Sequence, residues 1–304
     1  MYFKKWLLLL CLVFVLALTA CSDKQSDAIE AGITAMQDGK YEDAKVCFKA
    51  ALSSKGGQRY RRMTGAAYRY LGIISYEEED YEKAEEYLLK AVDYSDVKEV
   101  IADAFAYLGE VYERCGREDE AIQAWSKSLD RRKDEILSMK RMYLQWKTGK
   151  MSDQEAEGEL NKYVSKGNVL ASYYLAVVFE KGENYAQAIK IYEEAYEKDP
   201  DATLLLKIAE CYHQMGDLEK MMQYYEKAEG ALSGDELLAV LWNEVAVFES
   251  HLDYENARAK ALQYLSLAPE NEAMAKEEMF LRTRLGIVSE DTSEEITTES
   301  ETQG

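Results

Sequence analysis

Phe105 to Ser128 reads FAYLGEVYERCGREDEAIQAWSKS. Phe105, Leu108 and Tyr112 recur three and four apart, the spacing of one helix face. Gly109 interrupts that face, where a glycine costs about 1 kcal/mol relative to alanine, so the position implies a close approach by another element. A polar turn follows at Cys115-Gly116-Arg117, and a second helix then carries Ala121, Trp125 and Ser128 along one side. Ala121 is small where two helices would cross, and Trp125 is large where a gap must be filled. One such hairpin leaves apolar flanks that only copies on either side can cover.

Copies exist. A small residue four before a bulky one recurs as Ala44/Phe48, Ala84/Leu88, Ala121/Trp125, Ala156/Leu160, Ala188/Tyr192, Met221/Tyr225 and Ala257/Ala261, at successive spacings of 40, 37, 35, 32, 33 and 36 residues. Twelve residues before each pair lies a close-packing slot: Gly32, Gly72, Gly109, Leu144, Ala176, Ala209 and Val245. Three after each bulky slot come Ala51, Ala91, Ser128, Tyr163, Ala195, Ala228 and Tyr264. The turns repeat as GKYEDA, EEDYEKA, GREDEA, GENYAQA, GDLEKM and LDYENA. Pro200 and Pro269, the only prolines, each stand twelve residues after the small slot of their copy, where a second helix should stop.

The pattern resembles the tetratricopeptide repeat (TPR), a helix-turn-helix unit of 34 residues. Leu71-Gly72 and Leu108-Gly109-x-x-Tyr112 match the family's first-helix signature, and the alanine and aromatic slots match its second. The resemblance covers residues 26–270. It implies an all-α fold, a right-handed α-solenoid of about seven TPR-like helix-turn-helix repeats. The aromatic that opens the first helix is present only as Tyr68 and Phe105. The fourth copy, Ser138 to Val164, is degenerate, with Leu144 at the crossing and no glycine turn at the expected place.

Composition agrees with an all-helical chain: two prolines, many Glu, Lys, Ala and Leu, and no strand-period alternation. The formal net charge is −20, and removal of residues 1–20 deletes Lys4 and Lys5 and takes it to −22. Such a charge opposes binding to nucleic acid and to anionic lipid, and it favours a basic partner.

Residues 1–20 read as a signal peptide. Lys4 and Lys5 give a basic start, and Trp6 to Leu18 is an apolar run too short for the roughly 20 residues of a spanning helix. Leu18-Thr19-Ala20 before Cys21 resembles the bacterial lipobox. That resemblance implies diacylglycerol transfer to the Cys21 sulfur, cleavage before Cys21, and a lipid anchor on the exported face of a bacterial cell membrane. Residues 21–25 form a short tether. Asp27 is expected to cap the first helix, with Glu30 completing a capping box. The tether to Asp27 spans at most about 20 Å, which puts the first repeat near the membrane.

No motif argues for catalysis. HExxH, paired Cys-x-x-Cys, Walker, dinucleotide-binding and nucleophile-elbow patterns are absent from the sequence. Cys47, Cys115 and Cys211 fall in different repeats, and Cys115 beside a turn is expected to be the exposed one. Glu77 to Asp80 reads as a solvated loop. The chain is therefore read as no enzyme, with no cofactor and no metal site.

In the family the first helices line a concave surface. Carried over, the inward positions are Arg69, Tyr76, Glu110, Tyr173, Glu180, Glu210, His213, Trp242 and Glu249. Arg69 alone is a basic side chain of the Lys or Arg type, so this groove suits a basic or Tyr-contacting segment better than a peptide carboxylate. Residues 271–286 should cap the last repeat through Met274, Met279, Phe280 and Leu281, and residues 287–304, acidic and rich in Ser and Thr, should form a disordered tail.

The sequence thus describes a membrane-anchored lipoprotein that displays a TPR scaffold or adaptor for another protein or peptide at the cell envelope. The alternatives are a subunit of an envelope assembly or secretion complex, a solute-binding transporter component, or an enzyme. The missing catalytic set and the open surface weigh against the last two.

Overall fold

A computed structural model describes residues 24–53 and 58–287. The leader over residues 1–20, the lipobox with Cys21 and the acidic tail from residue 288 lie outside the described residues. Fifteen helices and no strand are present among the described residues. Two compact units divide the chain, with the boundary after Leu160.

The first unit contains α1 (Lys24–Gln37), α2 (Tyr41–Ser53), α3 (Gln58–Glu77), α4 (Tyr81–Tyr94), α5 (Lys98–Arg114), α6 (Glu118–Leu129) and α7 (Glu135–Lys147). It ends within α8 (Asp153–Val164). Each helix from α1 to α6 packs on its sequence neighbours, and α1 meets α3 as α3 meets α5, so first helices line up beside first helices. At the close-packing slots an added Cβ would come within 2.6 Å of Phe48 at Gly32, 2.6 Å of Leu88 at Gly72, and 2.2 Å of Trp125 at Gly109. The bulky slot of each pair therefore fills the space that its glycine vacates. Trp125 is fully buried, and its indole Nε1 donates to the Ala106 carbonyl at 3.2 Å. In the fourth copy Leu144 occupies the slot, and α7 and α8 stand further apart than the helices of the other pairs.

The second unit contains α9 (Val169–Lys181), α10 (Tyr185–Lys198), α11 (Ala202–Gln214), α12 (Leu218–Glu229), α13 (Gly234–Ser250), α14 (Tyr254–Leu267) and α15 (Glu272–Arg284). Ala176, Ala209 and Val245 take the close-packing slots here, all buried. Leu241, Val245, Phe248, Ala257, Ala261 and Tyr264 form one core with Met274 and Leu281 of α15. Only those two of the four apolar residues expected to seal α15 are buried. Met279 and Phe280 are 62% and 42% exposed.

The turns repeat in backbone as well as in sequence. Gly39, Glu79, Gly116, Glu183, Gly216 and Leu252 all have φ between 57° and 74°, and each stands five residues before the small slot of its helix pair. The left-handed residue ends one helix, and the next helix starts on a capping side chain. Asp80, Asn184, Asp217 and Asp253 each accept from a backbone N–H three residues on. The fourth copy does have its glycine turn, at Gly149 with φ 75°. It lies two residues further from Ala156 than the repeat dictates, because Lys150 to Ser152 lengthen the turn. Asp27 lies inside the first turn of α1, which begins at Lys24, instead of preceding it as a cap. Its charge still complements the positive end of the helix dipole. Among the described residues no helix is long and apolar enough to cross a membrane.

Candidate functional site

In the first unit α3, α5 and α7 border a cleft of about 400 Å³. Tyr76 and Glu77 come from the end of α3, Asp103, Tyr107 and Glu110 from α5, and Ile136 and Lys140 from α7. These are first helices throughout, so the cleft lies on the face where the resemblance places a groove. Tyr76 and Tyr107 meet edge to face, with ring centroids 5.9 Å apart. Ile136, 57% exposed, adds an apolar rim.

The charges in this cleft are held by partners one repeat away. Arg69 Nη1 donates to Asp103 Oδ2 at 2.5 Å, and Arg132 donates to the other oxygen of the same carboxylate. Lys140 Nζ donates to both oxygens of Glu110 at 2.8 Å. The Arg69 guanidinium also lies 4.4 Å from the Tyr70 ring centroid. Each base is thus answered by an acid, while Glu77 stands exposed at the rim. Burial, with Glu77 and Asp103 alongside, raises the Tyr107 hydroxyl above its ordinary range. Burial and the neighbouring Glu110 raise Glu113 in the same way.

In the second unit a cleft of about 360 Å³ lies against Glu180, Lys181, Tyr185, Glu210, Cys211 and Gln214. Glu180 accepts from the Tyr192 hydroxyl at 2.8 Å and from the Cys211 thiol at 3.5 Å. Burial, reinforced by Glu180, pushes Cys211 up to about 12, so it is a closed thiol and not a nucleophile. Tyr173 packs on Tyr192 with centroids 6.0 Å apart. Glu210 is exposed and paired with Lys207 at 2.7 Å. His213 and His251, the only histidines in the chain, meet edge to face at 5.4 Å. Trp242 is 42% exposed and leans on Tyr264 at 5.8 Å. Burial and a hydrogen bond with Glu277 raise the Glu249 carboxyl.

Of the nine residues marked by sequence, Arg69, Tyr76 and Glu110 belong to the network or lining of the first cleft, and Glu180 and Glu210 line the second. His213, Trp242 and Glu249 lie on α11 and α13, and Tyr173 is half-buried against Tyr192. Asp103, Tyr107, Arg132 and Lys140 were not marked, although they complete the first cleft. Their signal was the repeat period itself, since Arg69 and Asp103 are 34 residues apart and Glu110 and Lys140 are 30 apart. Among the described residues no group of three or more His, Cys, Asp and Glu is placed to hold a metal ion.

Stacked antiparallel helix pairs with clefts on their first helices define a helical-repeat binding protein. The tetratricopeptide repeat model matches residues 29–97, 154–203 and 175–236, half of the chain in all, and the chain belongs to that family. It is similar in structure to a tetratricopeptide repeat protein from Parabacteroides merdae, at 16% identity over 86% of this chain and 99% of that one, with a TM-score of 0.66. The C-terminal part of a TPR repeat-containing protein from Cytophaga hutchinsonii matches at 18% identity over 82% of this chain and 98% of that one, with a TM-score of 0.51. A chain of the APC/C Cut9–Hcn1 hetero-tetramer matches at 12% identity over 84% of this chain and 52% of that one, with a TM-score of 0.54. These likenesses concern the fold alone. No curated protein sequence matches the chain.

Proposed function

We propose that this chain is a membrane-anchored lipoprotein that serves as a TPR scaffold or adaptor at the bacterial cell envelope. It grips a segment of another protein on its first-helix faces. The observation that carries this reading is the pair of open clefts, one in each unit, where first helices present rings and fixed charges in the first and fixed charges, beside Tyr185 of α10, in the second. Glu180, Glu210 and Glu249 outnumber Lys181 and Lys207 on the second unit's first helices, and the chain carries a formal charge of −20. A segment with basic residues complements both, and nucleic acid is repelled by both. Anchoring is proposed through lipid on Cys21, from Leu18-Thr19-Ala20-Cys21 in the sequence. The chain acts by recognition on a preformed surface and not by catalysis.

The test is affinity capture from solubilised membranes with the mature chain as bait, run beside a Glu210→Gln/Trp242→Ala variant. Both side chains are exposed, so the variant keeps its helical circular dichroism. The captured partner should fall at least tenfold, and undiminished capture contradicts the groove reading. Separately, Cys21→Ala should move the protein from the membrane fraction to the soluble fraction.

A further inference from the structure

The slot just before the close-packing position is apolar or aromatic in successive repeats: Leu71, Leu108, Tyr143, Leu175 and Ile208. In the last repeat it is Glu244, which is 1% exposed on α13. The slot that closes each second helix runs Leu52, Val92, Leu129, Val164 and Tyr196, and then becomes Glu229 at the end of α12. The residue before the bulky slot, often apolar or aromatic, is Lys260 on α14. Three substitutions at separate points of the repeat converge on one place. Lys260 Nζ lies 2.9 Å from Glu244 Oε1 and also pairs with Glu229, and Gln263 Nε2 donates to Glu229 at 2.9 Å. The two carboxylates thus share one ammonium group.

Two buried carboxylates that share one ammonium have acceptors only and no donor for each other. One lysine neutralises one of them. Glu244 Oε2 is moreover buried with no hydrogen-bond donor, and an unmatched buried acceptor is costly. A proton on Glu244 removes the excess charge, turns one acceptor into a donor and completes the network. Tyr225 of α12 is a further titratable neighbour. Burial, with Glu210 and Glu244 nearby, pushes its hydroxyl up to about 12, so it stays neutral while Glu244 titrates. Helices α12 and α13 also meet through Met221, Tyr225 and Val240, and the trio adds the buried charged contact between them.

We propose that Glu229, Glu244 and Lys260 form a proton-operated joint, which seats α13 on α12 while Glu244 holds a proton and loosens when that proton leaves. Burial is the main cause that pushes Glu244 up to about 8; Lys260 opposes it and Glu229 adds to it. Hydrogen bonds from Lys260, Glu244 and Gln263 overcome burial at Glu229 and keep its carboxyl below the usual range. The proton therefore resides on Glu244. Above about pH 8 the joint holds one uncompensated buried negative charge.

Fluorotryptophan labelling of the mature chain tests this by fluorine NMR, with Trp242 two residues from Glu244 as reporter and Trp125 and Trp146 as internal controls. Between pH 6 and 9 the Trp242 signal should shift with a midpoint near 8 while the other two stay still. Glu244→Gln should abolish the shift, and Lys260→Met should raise the midpoint. A His213→Gln/His251→Gln background should leave the midpoint in place. Should Glu244→Gln fail to fold, the variant Glu229→Leu/Glu244→Leu/Lys260→Met restores the apolar slots of the other repeats and should be flat with pH. A Trp242 signal that does not move in the parent chain, a midpoint unchanged in the Glu244 variants, or one abolished by the histidine changes overturns the joint.

Discussion

Leu252 sits in the left-handed region with φ 61° and exposes 72% of its surface. An L-residue there loses about 1–2 kcal/mol to the contact of its Cβ with the backbone, and the exposed side chain returns little. Leu252→Gly should therefore stabilise the protein by about 0.5–1 kcal/mol, read from urea unfolding. Gly109→Ala should do the reverse. Its Cβ would lie 2.2 Å from the Trp125 indole, which is fully buried and bonded to Ala106, so a loss of about 1–3 kcal/mol is expected. Cysteines give a third check, since Cys115 is exposed, Cys47 half-buried and Cys211 buried and hydrogen-bonded to Glu180. Maleimide should label Cys115 first and leave Cys211 untouched until the second unit unfolds. At Glu244 the folded carboxyl binds its proton more tightly than the unfolded one. Its contribution is complete below the unfolded value of 4.5 and is lost as pH rises through about 8, so thermal stability should fall from pH 6 to pH 9.

At the scale of helices, the small and bulky slots were legible because packing at a helix crossing depends on volume, and volume is written in residue type. Gly109 against Trp125 is the clearest instance. Turn chemistry was legible where glycine or a capping Asp or Asn marked it. At Glu79, Glu183 and Leu252 the turn was marked by the Asp80, Asn184 and Asp253 that follow, but the left-handed backbone was not, because these residue types do not favour it. The cleft was only half legible. The family resemblance marked Arg69 and Glu110, but their partners Asp103 and Lys140 lie one repeat away and need the repeat length as a ruler. Tyr224 with Glu193 and Lys260 with Glu229, each pair 31 residues apart, obey the same rule. These ties should be modest where solvent reaches them. A double-mutant cycle on Arg69 and Asp103 should give a coupling of about 1 kcal/mol in unfolding free energy. The buried trio behaves differently. Lys260→Met alone should destabilise by about 3 kcal/mol, whereas replacing all three residues with apolar ones should be neutral or stabilising by about 1–4 kcal/mol.

For the whole molecule the account joins three things: a TPR chain, a formal charge of −20, and the proposed lipid anchor at Cys21, which rests on the resemblance of Leu18-Thr19-Ala20-Cys21 to a lipobox. Family membership gives the fold and leaves the partner to the site. In each unit the candidate faces are mainly those of first helices, with Tyr185 at the start of α10 joining the second cleft, because second helices turn their small and bulky slots into the core. The most direct test works whatever the partner is. A photo-reactive phenylalanine is placed in the living cell at Tyr107 or Trp242 on first helices, and at Leu89 or Gln223 on second helices. The account predicts a shared cross-linked adduct from Tyr107 or Trp242 and none from Leu89 or Gln223. Adducts that arise from the second-helix positions while the first-helix positions stay silent would contradict it.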